Sequence, residues 1–289
     1  MPSLIDLRRR IRSVRNMQQI TKAMKMVSAA KLRRAQEHAL GSRPYANMMT
    51  RVLANVARAA AALDDVPDLP LLEVREEKNI QLILVSSDTG LAGAFNSNLF
   101  RMTQKFVEEH AGASLEIEAI GRKGRDHFRR RGYKLSGEHV GIVDKPKYEN
   151  AREIADKMIE RYRKREVDAV YLAVNEFKTT MSSSLVLRKV LPVELPEEKK
   201  EEQQIDYIYE QSPEGLLRVL LPRYVELAIY RAMLESISAY HAARMTAMDS
   251  ASKNAGEVIQ DLTLNLNRVR QANITREIIE IVSGAAALA

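Results

Sequence analysis

The sequence contains no cysteine and no tryptophan, and aromatic residues make up only 5% of its 289 residues. Without cysteine the chain has no disulfides, thiolate metal ligands or cysteine nucleophiles, which favours a reducing, cytoplasmic compartment. Apolar runs of the roughly 18–20 residues that span a bilayer are also missing, so the sequence predicts a soluble protein. Arginines stand where a secretory signal needs an apolar core, although a mitochondrial presequence or a membrane-surface helix stays open as an alternative.

Acidic residues are scarce near the start of the chain. Residues 1–60 hold 13 Lys and Arg but only Asp6 and Glu37, whereas the whole chain totals +7, so the rest of the chain is net negative. Residues 214–289 carry eight basic and eight acidic side chains and cannot neutralise this segment. The charge distribution therefore predicts an acidic partner outside the chain.

Helix breakers are rare toward both ends of the sequence. Between Leu4 and Leu63 they are limited to Gly41 and Pro44, and apolar residues recur three or four positions apart, which predicts one long amphipathic helix. A second helix of about 60 residues is predicted from Pro222, where the missing N–H of a first-turn proline costs nothing. Two such helices suggest an antiparallel coiled coil.

The middle of the chain has a different pattern, in which short β-branched runs alternate with helical stretches. The predicted strands are Ile80–Val85, Leu115–Ile120 and Val167–Val174, with Leu185–Leu195 as a further candidate, and the predicted helices are Leu99–His110 and Ala151–Lys164. This alternation is typical of an α/β layer with parallel strands. The predicted fold is a long antiparallel coiled coil of N- and C-terminal helices with an inserted Rossmann-like α/β domain. Its predicted domains are a shaft helix over 1–63, a linker over 64–78, the α/β domain over 79–205 and a second shaft helix over 213–289.

Motifs for chemistry are weak throughout the sequence. Gly90 and Gly93 follow a predicted strand, but the segment lacks both the G-x-G-x-x-G pattern and the Gly-Lys-Ser/Thr ending of a phosphate loop. Asp88-Thr89-Gly90 occurs once, whereas aspartic protease chemistry needs two such carboxylates. The five histidines lack metal-ligand spacing, and no serine sits in a nucleophile elbow. We therefore expect no enzyme activity, no cofactor and no metal.

Three segments, in order along the chain, resemble the gamma subunits of F-type ATP synthases. They are Ile20–Val27, Ser86–Asn96 and the closing stretch Arg268–Ala287. Ala92 and Ala94 depart from the Cys and Gly that family members often have in the second segment. The chain also lacks the inserted cysteine pair of plant-type members, which indicates a bacterial type.

This resemblance implies the function of a central rotor stalk, which couples proton-driven rotation of the c-ring to conformational cycling of the catalytic beta subunits. The implied partners are three alpha subunits, three beta subunits, epsilon and the c-ring. The implied location is peripheral, at the cytoplasmic face of the bacterial cell membrane, and contact with the membrane is only indirect, through the c-ring.

The resemblance also implies three sets of contact residues. Each set has an alternative without a partner: an ordinary solvated helix face for the beta-subunit contacts, a frayed tail for the apolar bearing, and the cap of a domain edge for the c-ring contacts. The beta-subunit contacts are Arg8, Arg9, Arg10, Arg12, Arg15, Lys22, Met24, Lys25, Arg33, Arg34, Arg244, Arg270, Gln271 and Thr275. An apolar bearing is formed by Ile278, Ile279, Val282 and Leu288, and the c-ring contacts are Tyr207 and Glu210.

A different class of function remains open from charge alone. A basic coiled-coil rod that binds nucleic acid through residues 8–34 would also explain the excess of cations, and it would show a steep salt dependence. That stretch contains no aromatic residue on which bases could stack, which argues against this alternative.

Overall fold

The computed structural model describes residues 3–61, 69–180, 182–195 and 211–288. The chain divides into two compact units. We call Met1–Ala29 with Arg244–Ala289 the helical unit, and Ala30–Ala243 the sheet unit. Helices α1 (Leu4–Ala61) and α5 (Pro213–Leu288) each contribute residues to both units.

The sheet unit contains a five-stranded mixed sheet in the order β3-β2-β1-β4-β5. Strand β1 pairs in parallel with β2 and β4, β2 pairs in parallel with β3, and β5 is antiparallel to β4. The strands are β1 (Asn79–Val85), β2 (Ser114–Ile120), β3 (Leu135–His139), β4 (Ala169–Phe177) and β5 (Ser183–Leu191), and the intervening helices are α2 (Phe95–Glu109), α3 (Arg122–Arg129) and α4 (Tyr148–Arg163).

The parallel α/β layer predicted from the sequence is confirmed for β1, β2 and β4. The candidate strand at Leu185–Leu195 exists, but it spans Ser183–Leu191 and runs antiparallel. Strand β3 and helix α3 were not predicted. Their sequences, LSGEH and RKGRDHFR, contain too few apolar residues to form a recognisable run.

The core of the sheet unit lies on both faces of β1. Leu82, Ile83, Leu84 and Val85 have no exposed surface, because a central strand of a covered sheet is buried on both sides. Successive side chains point to opposite faces. Accordingly, Leu82 and Leu84 pack in one apolar cluster and Ile83 and Val85 in another, which includes residues of α4 and α5 such as Met233.

The described part of the predicted linker packs against the sheet unit. Leu69 and Leu71 are buried in its apolar core. The Arg75 guanidinium donates a hydrogen bond of 2.8 Å to the Tyr162 carbonyl oxygen and lies 4.4 Å from the centre of the Tyr162 ring. Residues 69–78 therefore form a structural part of this unit, while residues 64–68 lie outside the described ranges.

Helix α5 begins at Pro213, and the prediction that Pro222 occupies the first turn was wrong. Pro222 lies inside the helix, where it removes one backbone donor. Leu217, Leu221 and Val225 are buried on the same side at helical spacing. The apolar stripe that these residues bury compensates for the lost hydrogen bond and extends the helix upstream.

In the helical unit, α1 and α5 lie side by side. Gln18 Nε2 donates a 3.3 Å hydrogen bond to the Ser252 carbonyl oxygen, and Lys25 Nζ lies 2.6 Å from Asp249 Oδ1. Residue numbers thus rise along α1 while they fall along α5, so the two helices run in opposite directions at these contacts. No helix within the described ranges is long and apolar enough to cross a membrane.

Candidate functional site

The basic residues near the start of α1 are exposed. The helix begins with Ser3, whose Oγ accepts a 3.1 Å hydrogen bond from the Asp6 backbone N–H and donates a 2.7 Å hydrogen bond to the Asp6 carboxylate. This pairing caps the helix and engages one of the two acids of the segment. Leu7 and Ile11 are buried. The exposed cations are Arg8, Arg9, Arg10, Arg12, Arg15 and Lys22.

The second acid of the basic segment, Glu37, is also engaged locally. It lies 3.2 Å from Arg33 in an exposed i,i+4 pair of the sheet unit, where Arg34 is exposed as well. In the helical unit, Met24 and Lys25 are half-buried, and Lys25 pairs with Asp249. Among the arginines of the first four turns of α1, none forms an ion pair with another described residue; these are Arg8, Arg9, Arg10, Arg12 and Arg15.

The polar candidates on α5 are placed on the helical unit. Arg270, Gln271 and Thr275 are exposed, whereas Arg244 is half-buried. The Thr275 hydroxyl donates a 3.0 Å hydrogen bond to the Gln271 carbonyl oxygen of its own helix. The Arg270 guanidinium and the Gln271 side-chain amide are therefore exposed to solvent, while the Thr275 hydroxyl is hydrogen-bonded within the helix.

An exposed apolar segment follows on α5. Ile278, Ile279, Ile281 and Val282 expose between 55% and 71% of their surface. These positions point in several directions around the helix, because successive residues are rotated by about 100°. Exposed apolar side chains in such a run are a candidate contact surface. Leu288 is the last residue of α5, and Tyr207 and Glu210 lie outside the described residues.

The glycine-containing loop after β1 is held by the chain's own side chains. The Asp88 carboxylate accepts hydrogen bonds from the backbone N–H groups of Arg122 (2.9 Å) and Gly141 (3.1 Å). The Tyr240 hydroxyl on α5 donates a 3.2 Å hydrogen bond to the Gly90 carbonyl oxygen and lies 2.5 Å from Thr89 Oγ1. The loop is therefore tied to two other loops and to α5.

A buried polar network lies beside β2, and sequence reasoning missed it. The Glu118 side chain has no exposed surface; Lys157 Nζ lies 2.9 Å from each carboxylate oxygen, and Ser136 Oγ donates a 2.6 Å hydrogen bond. His139 Nε2 lies 2.8 Å from Oε1. Burial raises the pKa of Glu118, but hydrogen bonds from His139, Ser136 and Lys157 outweigh it and lower the pKa to about 2.

This network fixes the geometry of the sheet edge. A side chain at Gly137 on β3 would place its Cβ atom 2.0 Å from Glu118 Oε1, so any larger residue there would displace the Glu118 carboxylate from its hydrogen-bond partners. In the sequence, the network is signalled only by Glu118, an acid at an inward position of an apolar strand. Its partners, from Ser136 to Lys157, follow 18 to 39 residues later. Among the described residues, no group of three His, Asp or Glu side chains is placed to hold a metal ion.

These features define a class of protein: two long helices at the ends of the sequence, a mixed-sheet α/β unit inserted between them along the chain, and exposed cations and apolar side chains on the helices. The family model described as "ATP synthase" matches residues 3–288. The chain is 57% identical over 287 residues to an ATP synthase gamma chain of Solibacter usitatus, covering 99% of both sequences. It is 50% identical to that of Pelotomaculum thermopropionicum, over the full length of both. The chain belongs to the ATP synthase gamma-chain family, which confirms the resemblance.

Solved structures agree at the level of the fold. The rotor of Euglena gracilis mitochondrial ATP synthase matches 94% of this chain and 98% of that chain, with a TM-score of 0.65 and 18% identity. The central stalk and c-ring structure from Tetrahymena thermophila contains a chain that matches with a TM-score of 0.60 and 23% identity, covering 81% of this chain and 99% of that chain.

Proposed function

We propose that this chain is the non-catalytic central rotor stalk of a bacterial F-type ATP synthase. It couples proton-driven rotation of the c-ring to conformational cycling of the catalytic beta subunits. The observation that carries this proposal is the similarity to bacterial gamma chains over the whole length of both sequences. The relatives described above give no support to the alternative of a nucleic-acid-binding rod.

In this proposal the terminal helices form an antiparallel coiled coil that turns inside a ring of three alpha and three beta subunits. Residues 1–63 and 213–289 are the shaft, and residues 79–205 are the foot domain. The opposite directions of α1 and α5 at the contacts of Gln18 with Ser252 and of Lys25 with Asp249 support this arrangement. Small residues such as Ala255, which is buried, allow two helix backbones to approach closely.

The exposed cations of α1 meet acidic segments of the beta subunits. Arg8, Arg9 and Arg10 have no carboxylate partner in the described part of the chain, so their charge is available to another subunit. Exposed ion pairs are worth about 0.2–1 kcal/mol each, and contacts this weak can exchange as the stalk turns. The remaining beta-subunit contacts of this proposal are Arg12, Arg15, Lys22, Met24, Lys25, Arg33, Arg34, Arg244, Arg270, Gln271 and Thr275.

The apolar end of α5 acts as the bearing. Burying an exposed aliphatic side chain stabilises an assembly by roughly 1.5–3 kcal/mol. The hydrophobic effect has no directional preference, so an apolar sleeve holds the helix without fixing its angle of rotation. The exposed fractions of Ile278, Ile279 and Val282 support this role, which we extend to Leu288.

The other end of the stalk contacts epsilon and the c-ring. We assign the c-ring contact to Tyr207 and Glu210, on the basis of their match to family motifs. The chain then reaches the membrane only through the c-ring and is peripheral, at the cytoplasmic face of the cell membrane.

The proposal is tested with the assembled complex in proteoliposomes. Substituting Arg8, Arg9 and Arg10 by glutamate places acids opposite the acidic beta segments, so we expect proton pumping per ATP hydrolysed to fall while assembly is retained. Copurification should still recover one copy of this chain with three alpha and three beta chains. The matched control reverses Arg122, Arg130 and Arg131, which are exposed on or beside α3. Unchanged turnover and pumping in the first variant would contradict the assigned contacts, and failure to copurify the unmodified chain would contradict the proposed function.

A further inference from the structure

The sheet unit contains a cavity of about 570 Å³ that the rotor function does not use. It is lined by one segment each of α1, α5 and the loop and first turn of α4. Its volume falls within the roughly 300–1,000 Å³ that is typical of small-molecule sites. The cavity therefore has the size of a binding site for a small ligand.

The side of the cavity formed by α5 is apolar. Leu234 and Ile237 are 3% and 4% exposed, and Ala35 of α1 is also buried beside them. Tyr148 and Tyr230 pack edge to face, with ring centres 5.7 Å apart. The Tyr148 hydroxyl already donates to Glu226, so Tyr148 offers mainly aromatic surface. A hydrocarbon chain would find apolar contacts along this side.

The rest of the lining carries an excess of positive charge. Four Lys and Arg side chains line it against two acids, Asp144 and Glu149. Lys31 is neutralised by Asp144, because its Nζ lies 2.7 Å from Oδ2. The other three Lys and Arg side chains of the lining are exposed and form no ion pair with a described residue; these are Arg34, Lys145 and Lys147. An anionic head group would therefore be attracted to this rim.

We propose that this cavity binds a single-chain amphiphilic carboxylate, with its tail along Leu234 and Ile237 and its head group among Arg34, Lys145 and Lys147. A purely ionic ligand such as phosphate would leave the apolar side unused, and a neutral hydrocarbon would leave the rim unused. A medium-chain fatty acid would contact both the apolar side chains and the cationic side chains of the cavity. Arg34 is also among the proposed beta-subunit contacts, whereas Lys145 and Lys147 are not, so the inference is tested at Lys145 and Lys147 independently of the proposed function.

The test is calorimetric titration of the purified full chain with dodecanoate, below the concentration at which it forms micelles. We expect one saturable site, and affinity about fourfold lower for each methylene removed from the tail, because each buried methylene contributes a constant increment. Equal concentrations of inorganic phosphate or of a cationic surfactant with the same tail should not compete.

Two variants locate the site. Lys145→Glu with Lys147→Glu should weaken dodecanoate binding about tenfold or more, since two attractions become repulsions, whereas the control Lys123→Glu, an exposed change on α3, should not. Ala35→Phe should fill the apolar side and abolish binding, with circular dichroism as the check on folding. Equal binding by the double variant and the control, or the absence of saturable binding, would overturn the proposal even if Ala35→Phe fails to fold.

Discussion

The central strand β1 of the sheet unit and the end of α5 in the helical unit differ in how far their apolar side chains are buried. Leu82, Ile83 and Leu84 of β1 are completely buried, whereas Ile279 and Ile281 of α5 expose 57% and 71% of their surface. Buried apolar surface of this extent stabilises the sheet unit from within. Exposed apolar surface at the end of α5 adds little to the stability of the free chain, and in the proposed function another subunit covers it.

The largest loss of stability should come from truncating a buried side chain of β1. Leu82→Ala leaves a cavity in the centre of the sheet, and we expect it to lower the unfolding free energy of the sheet unit by about 2–5 kcal/mol. Ile281→Ala, the matched aliphatic truncation on the exposed end of α5, should change the stability of the free chain by less than about 0.5 kcal/mol. Native-state hydrogen exchange of the β1 amides measures both. Similar losses of unfolding free energy in the two variants would contradict the contrast between β1 and the end of α5.

A smaller loss of unfolding free energy is expected when the buried polar network around Glu118 is disrupted. Glu118→Ala leaves the polar groups of Lys157, Ser136 and His139 without their common acceptor, which should cost about 1–3 kcal/mol. Glu118→Gln keeps an acceptor oxygen and the volume of the side chain, so it should be milder. Thermal unfolding of the sheet unit distinguishes the two variants. If Glu118→Ala is as stable as the unmodified chain, the network makes no net contribution.

The Glu118 carboxylate also makes the stability of the folded chain depend on pH. The pKa of Glu118 is lowered from 4.5 to about 2 in the folded chain. A depressed folded-state pKa means that the stabilising contribution is present above pH 4.5 and is lost as the pH falls toward 2. The difference in melting temperature between the unmodified chain and Glu118→Gln should therefore narrow over this interval. A difference that stays constant with pH would argue against a charged Glu118.

The smallest effect concerns the polar contact within the helical unit. Lys25→Met removes the partner of Asp249 on α1 and leaves its α5 partner Lys253 in place. Because the Lys25–Asp249 pair is partly exposed, exchange of nearby α1 amides should rise by less than about fivefold. The effect should shrink in high salt. Lys22→Met is the control, since Lys22 is exposed on the same helix. Equal changes in the two variants would show that the ion pair adds nothing.

Much of the fold could be predicted because it follows from long or strongly apolar patterns. The helix predicted over 1–63 is observed as Leu4–Ala61, and β1 and β2 agree with the predicted strands to within one residue. Strand β3 and helix α3 were missed, because their positions depend on tertiary partners rather than on local periodicity. Glu118 is the clearest case: its stabilising groups come from β3 and α4, which a reading of the neighbouring sequence cannot bring together.

The exposure of many candidate contact residues on α1 and α5 could be predicted for another reason, while their contacts stay a prediction. Charge and exposed apolar side chains on a long helix are visible in the sequence, since no tertiary partner hides them. The cavity beside Leu234 and Lys147 was not predicted, because its lining comes from three separate segments of the sheet unit. Surface patterns on a single helix can therefore be predicted, whereas concave sites assembled from several elements cannot.

The Asp88 carboxylate has a consequence for the edge of the sheet where parallel α/β proteins usually bind their ligands. There it occupies backbone donors of Arg122 and Gly141, in the manner of a permanently attached anion. A dissociable ligand would fill such donors only at sufficient concentration, and the loops would loosen whenever it left. A carboxylate that is part of the chain occupies the same donors without any ligand, so these contacts do not depend on the concentration of a small molecule.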